Sequence, residues 1–341
     1  MSDLESQNQA TSKAIPQYDD NHYAVVDLGS NSFHLLITCL ITESNAKLSG
    51  QSSSKSLKIV NKVKQKVRLA AGLDDNNLLS DEAISRGLDC LKNFSLYLQS
   101  IPVNNILIVA TAALRMAKNN QLFFDAAKLI LPKQIKLLTG EQEAKTIYAG
   151  VAHTSISNKH QSHAKKLVLD IGGASTEIIV GSGCATKKLV SLDIGCVSYI
   201  GKYFVDGILN QKNFDLCITA ASNVINTVNE EFVQLGWQSA VGSSGTMQAM
   251  IEILKQRQQT PTITLVFLNE IQQTLISCQT INNIEIPGLR ADRKAILASG
   301  LSILIALFKC LRIKELCLSS GALREGLLFE LVPDAKIIHT I

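Results

Sequence analysis

Two short segments of small residues, each following an apolar run that ends in Asp, are the parts of this sequence best suited to chemistry. The first reads Asp27-Leu-Gly-Ser-Asn-Ser and the second reads Asp170-Ile-Gly-Gly-Ala-Ser. Tight turns of small residues between strands expose backbone N–H groups and hydroxyls, which can bind phosphate oxygens, and an adjacent carboxylate can hold a divalent cation. We therefore predict phosphate and metal chemistry at residues 29–32 (loop 1) and 172–175 (loop 2).

The two segments align with each other, Asp27 with Asp170 and Ser32 with Ser175. A single glycine-rich hairpin is usually only a turn. A shared Asp, Gly and Ser in similar apolar frames instead indicates duplicated halves, whose loops would face each other across a cleft. A third anion-binding turn is predicted at residues 242–246, where a predicted strand ends and a predicted helix begins, because helix N-termini favour phosphate. The candidate phosphate-binding residues are Gly29, Ser30, Asn31, Ser32, Gly172, Gly173, Ala174, Ser175, Gly242, Ser244 and Gly245.

Strands alternate with helices along the whole chain, which predicts an α/β fold with mixed sheets. Ser80 is predicted to cap a helix whose first turn carries Asp81 and Glu82. Predicted strands cover 23–28, 33–40, 66–70, 105–110, 134–138, 167–171, 176–181, 186–193, 239–242 and 314–318. Predicted helices cover 81–99, 141–152, 213–234, 246–256, 264–280, 291–310 and 322–331.

Composition limits the class of protein. With 341 residues, 46% of them hydrophobic and 18% charged, the chain can form two domains with real cores. The net charge of +4 comes from scattered basic residues, so nucleic acid is not an expected partner. The eight cysteines form no Cys-x-x-Cys pair, which favours reduced thiols and a cytoplasmic location. No signal peptide or membrane anchor is predicted, and His160 and His163 are interpreted as surface-loop residues.

The two loops closely resemble the phosphate loops of the exopolyphosphatase/guanosine pentaphosphate phosphohydrolase (Ppx/GppA) family, within the actin-like ATPase superfamily. The resemblance runs from about residue 23 to about residue 331, and further blocks occur in family order at 66–73, 111–115, 139–144, 195–198, 242–246, 287–292 and 320–326. It implies two actin-like (ribonuclease H-like) domains, with mixed sheets flanked by helices and the active-site cleft between them. We expect a tail at 1–21, domain I at 22–140 completed by 319–341, and domain II at 141–318.

The resemblance also implies roles for individual side chains. Glu143 matches the family's catalytic base, and Glu177 would steer the attacking water or hold the metal. Arg115 would reach phosphate with its guanidinium. Asp27, Asp170 and Glu177 are the expected ligands of Mg²⁺ or another divalent cation. His34 is interpreted as a packed or hydrogen-bonded structural residue, since the acidic candidates are better placed for catalysis.

Three positions depart from the family pattern. Ala174 stands where a third glycine is usual, and it could narrow loop 2. Gln142 stands where an acidic residue is common, which removes one charge beside Glu143. Ser320 stands where Gly or Asp is usual.

The resemblance implies a metal-dependent phosphohydrolase that releases terminal phosphate from polyphosphate or the 5′ γ-phosphate from guanosine pentaphosphate. An ATP-dependent small-molecule kinase of the same superfamily and a non-catalytic polyphosphate or nucleotide sensor are the alternatives. P-loop and dinucleotide motifs are absent from the sequence: Lys145 stands where a Walker A loop starting at Gly140 needs glycine.

The given sequence ends at Ile341, and this leads to an expectation about how polyphosphate is bound. Longer members of the resembled family continue with a helical domain that lengthens the groove, and this chain resembles the short two-domain form. A short groove would hold a long polyanion weakly, so we expect distributive trimming of polyphosphate. A homodimer that joins two clefts would restore processivity.

Overall fold

The computed structural model describes residues 17–43, 54–154, 164–333 and 335–338. Most of the expected N-terminal tail, together with His160 and His163, therefore lies outside the described residues.

The first sheet is built mainly from the first half of the chain. Its strands are β1 (His22–Leu28), β2 (Ser32–Glu43), β3 (Ser54–Lys66), β4 (Ile106–Ala110), β5 (Lys136–Leu137) and β12 (Lys336–Ile338), in the order β12-β3-β2-β1-β4-β5. Three helices belong to this half: α1 (Asp81–Leu98), α2 (Ala112–Met116) and α3 (Asn120–Ala127). The Ser80 hydroxyl accepts from the N–H of Ala83 at 3.3 Å, which confirms the predicted helix cap.

The second sheet lies within residues 165–318. Its strands are β6 (Lys165–Ile171), β7 (Thr176–Ser182), β8 (Ala185–Leu192), β9 (Ser239–Gly242), β10 (Thr262–Ile263) and β11 (Leu316–Leu318), in the order β10-β11-β9-β6-β7-β8. Its helices are α5 (Cys196–Tyr203), α6 (Gln211–Ile225), α7 (Asn229–Leu235), α8 (Gly245–Gln256), α9 (Leu265–Ser277) and α10 (Lys294–Leu311).

Both sheets follow the same plan around the predicted loops. Strand β1 pairs antiparallel with β2 and parallel with β4, and β6 pairs antiparallel with β7 and parallel with β9. The pattern of buried and partly buried residues along β1 is identical to that along β6. The predicted α/β class with mixed sheets is confirmed, and each loop stands between the first two strands of its sheet.

Two helices lie between the sheets and join them. Helix α4 (Gly140–Thr154) packs against α11 (Leu323–Leu331), and a side chain on Gly150 or Gly326 would overlap the backbone of the facing helix. A buried cluster shared by both sheets surrounds this crossing and includes Val25 and Val168. The backbone of one half is thereby packed tightly against the other, with the cleft beside the crossing.

The structure corrects two sequence expectations and adds elements that were not predicted. Only Lys66 of the strand predicted at 66–70 lies in a strand, where it ends β3, and Leu69–Gly72 forms a short 3₁₀ helix. The helix predicted at 213–234 is divided into α6 and α7 after Asn226, in a stretch of Asn, Thr and Val that disfavours helix. Helix α5 and the short strands β10 and β12 were not predicted.

One helix of the described residues, at Ala291–Leu311, is long and apolar enough to cross a membrane by length and composition. Its apolar window is 72% buried, packed against α5, α6 and α9. Burial in the core of the second half therefore accounts for its composition.

Candidate active site

Loop 1 and loop 2 meet at the centre of the cleft. Gly173 approaches loop 1 so closely that an added Cβ would lie 2.8 Å from the Cβ of Ser30 and 3.1 Å from the N of Asn31. Both loops line one cavity of about 210 Å³. The expectation that the two loops face each other holds in the structure, and glycine at 173 is what permits the contact.

Neighbouring backbone N–H groups hold the carbonyl oxygens of both loops. At the start of α5, the N–H of Cys196 donates to Gly172 O at 3.0 Å and that of Val197 donates to Gly173 O at 2.8 Å. In loop 1, the N–H of Val67 donates to Asn31 O at 3.1 Å. These bonds fix the backbone of both loops. They also pair the partial negative charges of the loop carbonyl oxygens with protein N–H groups, so that these oxygens repel a bound anion less.

Asp27 and Asp170 lie in the same cavity, beneath the two loops. Burial raises the pKa of each carboxyl to about 6; Arg324 opposes the shift at both, and Ser243 opposes it at Asp170 by donating to Oδ2 at 2.6 Å. Among the described residues, Asp27 Oδ1 and Ser32 Oγ are buried without a hydrogen-bond partner. Buried polar atoms nearly always have a partner, so these atoms point to a ligand that binds in the cavity.

The donors at this place fit a hard divalent cation. Mg²⁺ typically takes one or two carboxylates and completes its shell with water and substrate phosphate oxygens. Asp27, with its unpartnered Oδ1, and Asp170 supply two such carboxylates in one cavity. Across the described ranges, no cluster of three or more Asp, Glu, His or Cys residues is arranged as a complete metal site.

Glu143 lies in the first turn of α4 and faces the cavity. Only 7% of the residue is exposed, and burial raises the pKa of its carboxyl to about 7 against the opposing effect of Arg115. Arg115 Nη1 donates to Glu143 Oε2 at 2.9 Å and to Leu138 O at 3.0 Å. Arg115 is not among the cavity-lining residues. Its guanidinium binds Glu143 directly, and the expected contact of Arg115 with phosphate stays a prediction.

Gln142 has a structural role at the start of the same helix. Its side-chain oxygen accepts from the N–H of Thr139 at 2.9 Å, and its own N–H donates to the Thr139 hydroxyl at 3.2 Å. This reciprocal pair is a capping box, in which glutamine serves as well as glutamate. The departure at 142 thus keeps the cap that positions Glu143.

Glu177 is the most deeply buried acid of the site, with 1% of the residue exposed. It lies opposite Asp170 in the pairing of β6 with β7, and its Oε1 accepts from the Ser191 hydroxyl at 2.7 Å. Burial, with the charges of Glu143 and Asp170 added, raises the pKa of Glu177 well above its usual value. Glu143 and Glu177 thus form an electrostatically coupled pair of buried acids in the cavity wall.

The third predicted turn lies beside loop 2. Ser244 caps α8, its hydroxyl accepting from the N–H of Thr246 at 3.2 Å, and Ser244 and Gly245 line the cavity. Gly242 does not line the cavity: it ends β9, where its carbonyl accepts from the N–H of Ser319 at 2.8 Å. Ala174 is also absent from the lining and is buried in the core, so its methyl group does not narrow the cavity.

Sequence reasoning assigned no role to Arg324. This residue lines the cavity, and its Nη1 donates to His34 Nδ1 at 3.1 Å. Burial, followed by the charge of Arg324, lowers the pKa of His34 well below its usual value, so the ring is neutral. The only sequence signal for Arg324 was its place in the 320–326 block. His34 is hydrogen-bonded as expected, but it lies in the cavity wall.

A model of the Ppx/GppA phosphatase family matches residues 49–335. The chain belongs to this family.

Relatives and solved structures agree with this membership. The chain is 45% identical over 327 residues to a guanosine-5′-triphosphate,3′-diphosphate pyrophosphatase of Pseudoalteromonas atlantica. This alignment covers 96% of the chain and 62% of the relative. It is 46% identical over 314 residues to the protein of the same name from Pseudoalteromonas translucida, covering 92% of the chain and 60% of the relative. The chain thus spans about 60% of the length of the curated relatives it matches.

Two solved structures share the fold. An exopolyphosphatase from Cytophaga hutchinsonii superimposes with a TM-score of 0.75 at 23% identity, covering 91% of this chain and 97% of that one. A PPX-GPPA enzyme from Aquifex aeolicus superimposes with a TM-score of 0.67 at 21% identity, covering 91% and 99%. The expected resemblance and fold class are confirmed.

Proposed function

We propose that this protein is a metal-dependent phosphohydrolase that removes the 5′ γ-phosphate of guanosine pentaphosphate in the cytoplasm. The observation that carries the proposal is the pair of buried acids, Glu143 and Glu177, in the wall of a cavity where two phosphate loops meet. The names of the 45–46% identical relatives support the choice of guanosine pentaphosphate as substrate.

The terminal phosphoryl group is placed between loop 1 and loop 2. Phosphoryl transfer needs mainly positioning and neutralisation of charge, because its transition state is loose. N–H groups of the two loops, with the Ser32 hydroxyl that lacks a protein partner, bind the oxygens of the transferred group. Arg324 adds positive charge in the same wall.

Glu143 activates the water. An acid with a pKa of about 7 is ionised in a large fraction of molecules at neutral pH and is still basic enough to take a proton. The water oxygen bonds to phosphorus, its proton passes to Glu143, and the bond from phosphorus to the β–γ bridging oxygen breaks. The products are inorganic phosphate and guanosine tetraphosphate. Glu177 orients the water through its carboxyl group.

Asp27 and Asp170 would hold the divalent cation. Mg²⁺ there would neutralise charge on the phosphate oxygens next to the bond that breaks. Burial raises the pKa of each of the two carboxyls to about 6, and a bound cation would favour their ionised forms.

Linear polyphosphate is the second candidate substrate, because it ends in the same group and the structural neighbour from Cytophaga hutchinsonii is titled an exopolyphosphatase. The test is phosphate release from purified protein with Mg²⁺ and no acceptor, comparing kcat/KM for guanosine pentaphosphate with that for polyphosphate. Release of phosphate is expected. Transfer only to an added acceptor would support the kinase alternative, and binding without release would support the sensor.

A further inference from the structure

Three basic residues contact Asp292, and one of them, Lys64, lines the cavity. Lys64 Nζ lies 3.7 Å from Asp292 Oδ2, Lys66 Nζ donates to the backbone oxygen of Asp292 at 2.5 Å, and Arg290 Nε donates to Asp292 Oδ1 at 3.0 Å. Lys64 and Lys66 come from β3 of the first half, and Arg290 precedes α10 of the second. We name Lys64, Lys66 and Arg290 the outer cluster.

The outer cluster is connected to the phosphate site. In the first sheet Asp27 lies opposite His34, and His34 lies opposite Lys64, so the three form a row across β1, β2 and β3. Neighbouring strands are about 4.8 Å apart, which puts the backbone of Lys64 about 10 Å from that of Asp27. Lys64 lines the same cavity as Asp27. Lys64 thus joins the cluster to the cavity at a distance from the loops that a more remote part of the substrate can reach.

The single negative charge of Asp292 does not neutralise the three positive charges of the outer cluster. Although partial burial raises the pKa of Asp292, the charges of Arg290, Arg293 and Lys64 hold it below its usual value. Burial and the neighbouring Arg293 lower the pKa of Lys64, and the charge of Asp292 offsets only part of this effect. Three cations with one carboxylate would bind a dianionic group more strongly than they bind a single Asp.

We propose that Lys64, Lys66 and Arg290 form a second anion subsite, which Asp292 occupies in the free protein and which takes a phosphate group of the substrate remote from the bond that is cleaved. The inference rests on the proposed function for the orientation of the substrate. Two sources carry this chemistry: the 3′-diphosphate of guanosine pentaphosphate and a distal phosphate of a linear polyphosphate.

A binding experiment tests the subsite without any need for hydrolysis. Calorimetry would compare guanosine tetraphosphate with GDP, which has the same 5′-diphosphate and lacks the 3′-diphosphate. Loss of one charge-assisted contact lowers affinity by about tenfold. Lys64→Gln and Arg290→Gln should each lower the affinity ratio of guanosine tetraphosphate over GDP by about that factor. Lys62→Gln is the matched control, since Lys62 is exposed on the same strand without a bond to Asp292, and it should keep the ratio.

A kinetic experiment distinguishes the two sources. The first ratio is kcat/KM for guanosine pentaphosphate over that for GTP, and the second is kcat/KM for long polyphosphate over that for tripolyphosphate. A fall in the first ratio alone assigns the subsite to the 3′-diphosphate, and a fall in the second alone assigns it to a distal phosphate of a chain. The proposal would be overturned if the affinity ratio and both kcat/KM ratios were the same in Lys64→Gln and Arg290→Gln as in the control Lys62→Gln.

Removing the charge of Asp292 should have the opposite effect on binding from removing the charge of Lys64 or Arg290. If Asp292 competes with substrate, Asp292→Asn should tighten binding of guanosine tetraphosphate, or of long polyphosphate, by about threefold or more, since a competing charge is removed. If Asp292 only joins the two halves, the same change should weaken binding or leave it unchanged, and that result would contradict its role as an internal occupant. If the wild-type protein hydrolyses none of these substrates, the proposed function fails while the binding ratios still decide the subsite.

Discussion

Arg115 Nη1 lies 2.9 Å from Glu143 Oε2, and this bond helps to position the acid proposed to activate water and opposes the rise in its pKa that burial causes. Because Arg115 also donates to the Leu138 carbonyl, its guanidinium is fixed to the strand end that precedes α4. We therefore predict that Arg115 acts as a positioning residue for Glu143. This geometry leads to distinct expectations for the two residues.

Glu143→Gln should remove most of the activity while the fold and substrate binding remain. The amide keeps the size of the side chain and can still accept from Arg115, but it cannot take a proton from water. Loss of a general base typically costs about 10²–10⁴-fold in rate. Steady-state kcat measured alongside a thermal melt checks this, and a variant that keeps more than about a tenth of the wild-type kcat would show that another group activates the water.

The kcat/KM of the wild-type protein should rise with pH through a midpoint near 7, because Glu143 must lose its proton before it can act as a base. Arg115→Met should move this midpoint to higher pH, since burial would then act on Glu143 without the opposing positive charge. Full pH profiles of both proteins measure the shift. A lower kcat/KM with an unmoved midpoint would mean that Arg115 acts on something other than the charge of Glu143.

Glu177→Gln should lower the rate and raise the Mg²⁺ concentration needed for half-maximal activity. The acid lies beside Asp170 and contributes negative charge to the cavity when a cation has bound. Titration of Mg²⁺ at saturating substrate measures the effect. Ser191→Ala is a matched control, because it removes the hydrogen bond to Glu177 but keeps the carboxylate. If the metal titration of Glu177→Gln matches that of the wild type, Glu177 acts on the water alone.

Gly173→Val should weaken substrate binding more than it lowers the melting temperature. The new side chain would overlap Ser30 of loop 1, which belongs to the other half of the molecule, so the loops must separate while each half keeps its own core. Calorimetry with guanosine tetraphosphate and a thermal melt test this.

Gly201→Val is the control for this change, since a side chain at Gly201 in α5 would meet no heavy atom within 4 Å. We expect it to leave affinity intact. Retained affinity in Gly173→Val would show that contact between the loops is not needed for binding.

Local patterns in the sequence predicted much of the architecture. The two aligned loops were found because a strand, an Asp, a tight turn and a second strand are all specified by neighbouring residues. The same local reasoning missed nearly all of β3, which alternates lysines with apolar residues over much of its length. It also predicted one helix at 213–234 where the structure has two, because residues 226–228 interrupt the helical pattern only weakly. The expected domain boundaries and the expected homodimer stay predictions.

The roles of side chains in the cleft depended on residues far apart in the chain. The sequence by itself determined that Asp27, Asp170, Glu143 and Glu177 are candidates, because each belongs to a local motif. Only the tertiary structure showed that Arg115 donates a hydrogen bond to Glu143, and that Arg324, 290 positions from His34, contacts its ring.

The physical reason is that burial and charge depend on everything that packs around a group. Loop 2 is a turn because of its own residues, but Gly173 touches Ser30 only after two separate sheets have packed together. The pKa of Glu143 is raised to about 7 chiefly by burial between α4 and the second sheet, which no local pattern records. The sequence therefore determined which groups are available for phosphate chemistry, and the packing of the two halves decided which of them meet.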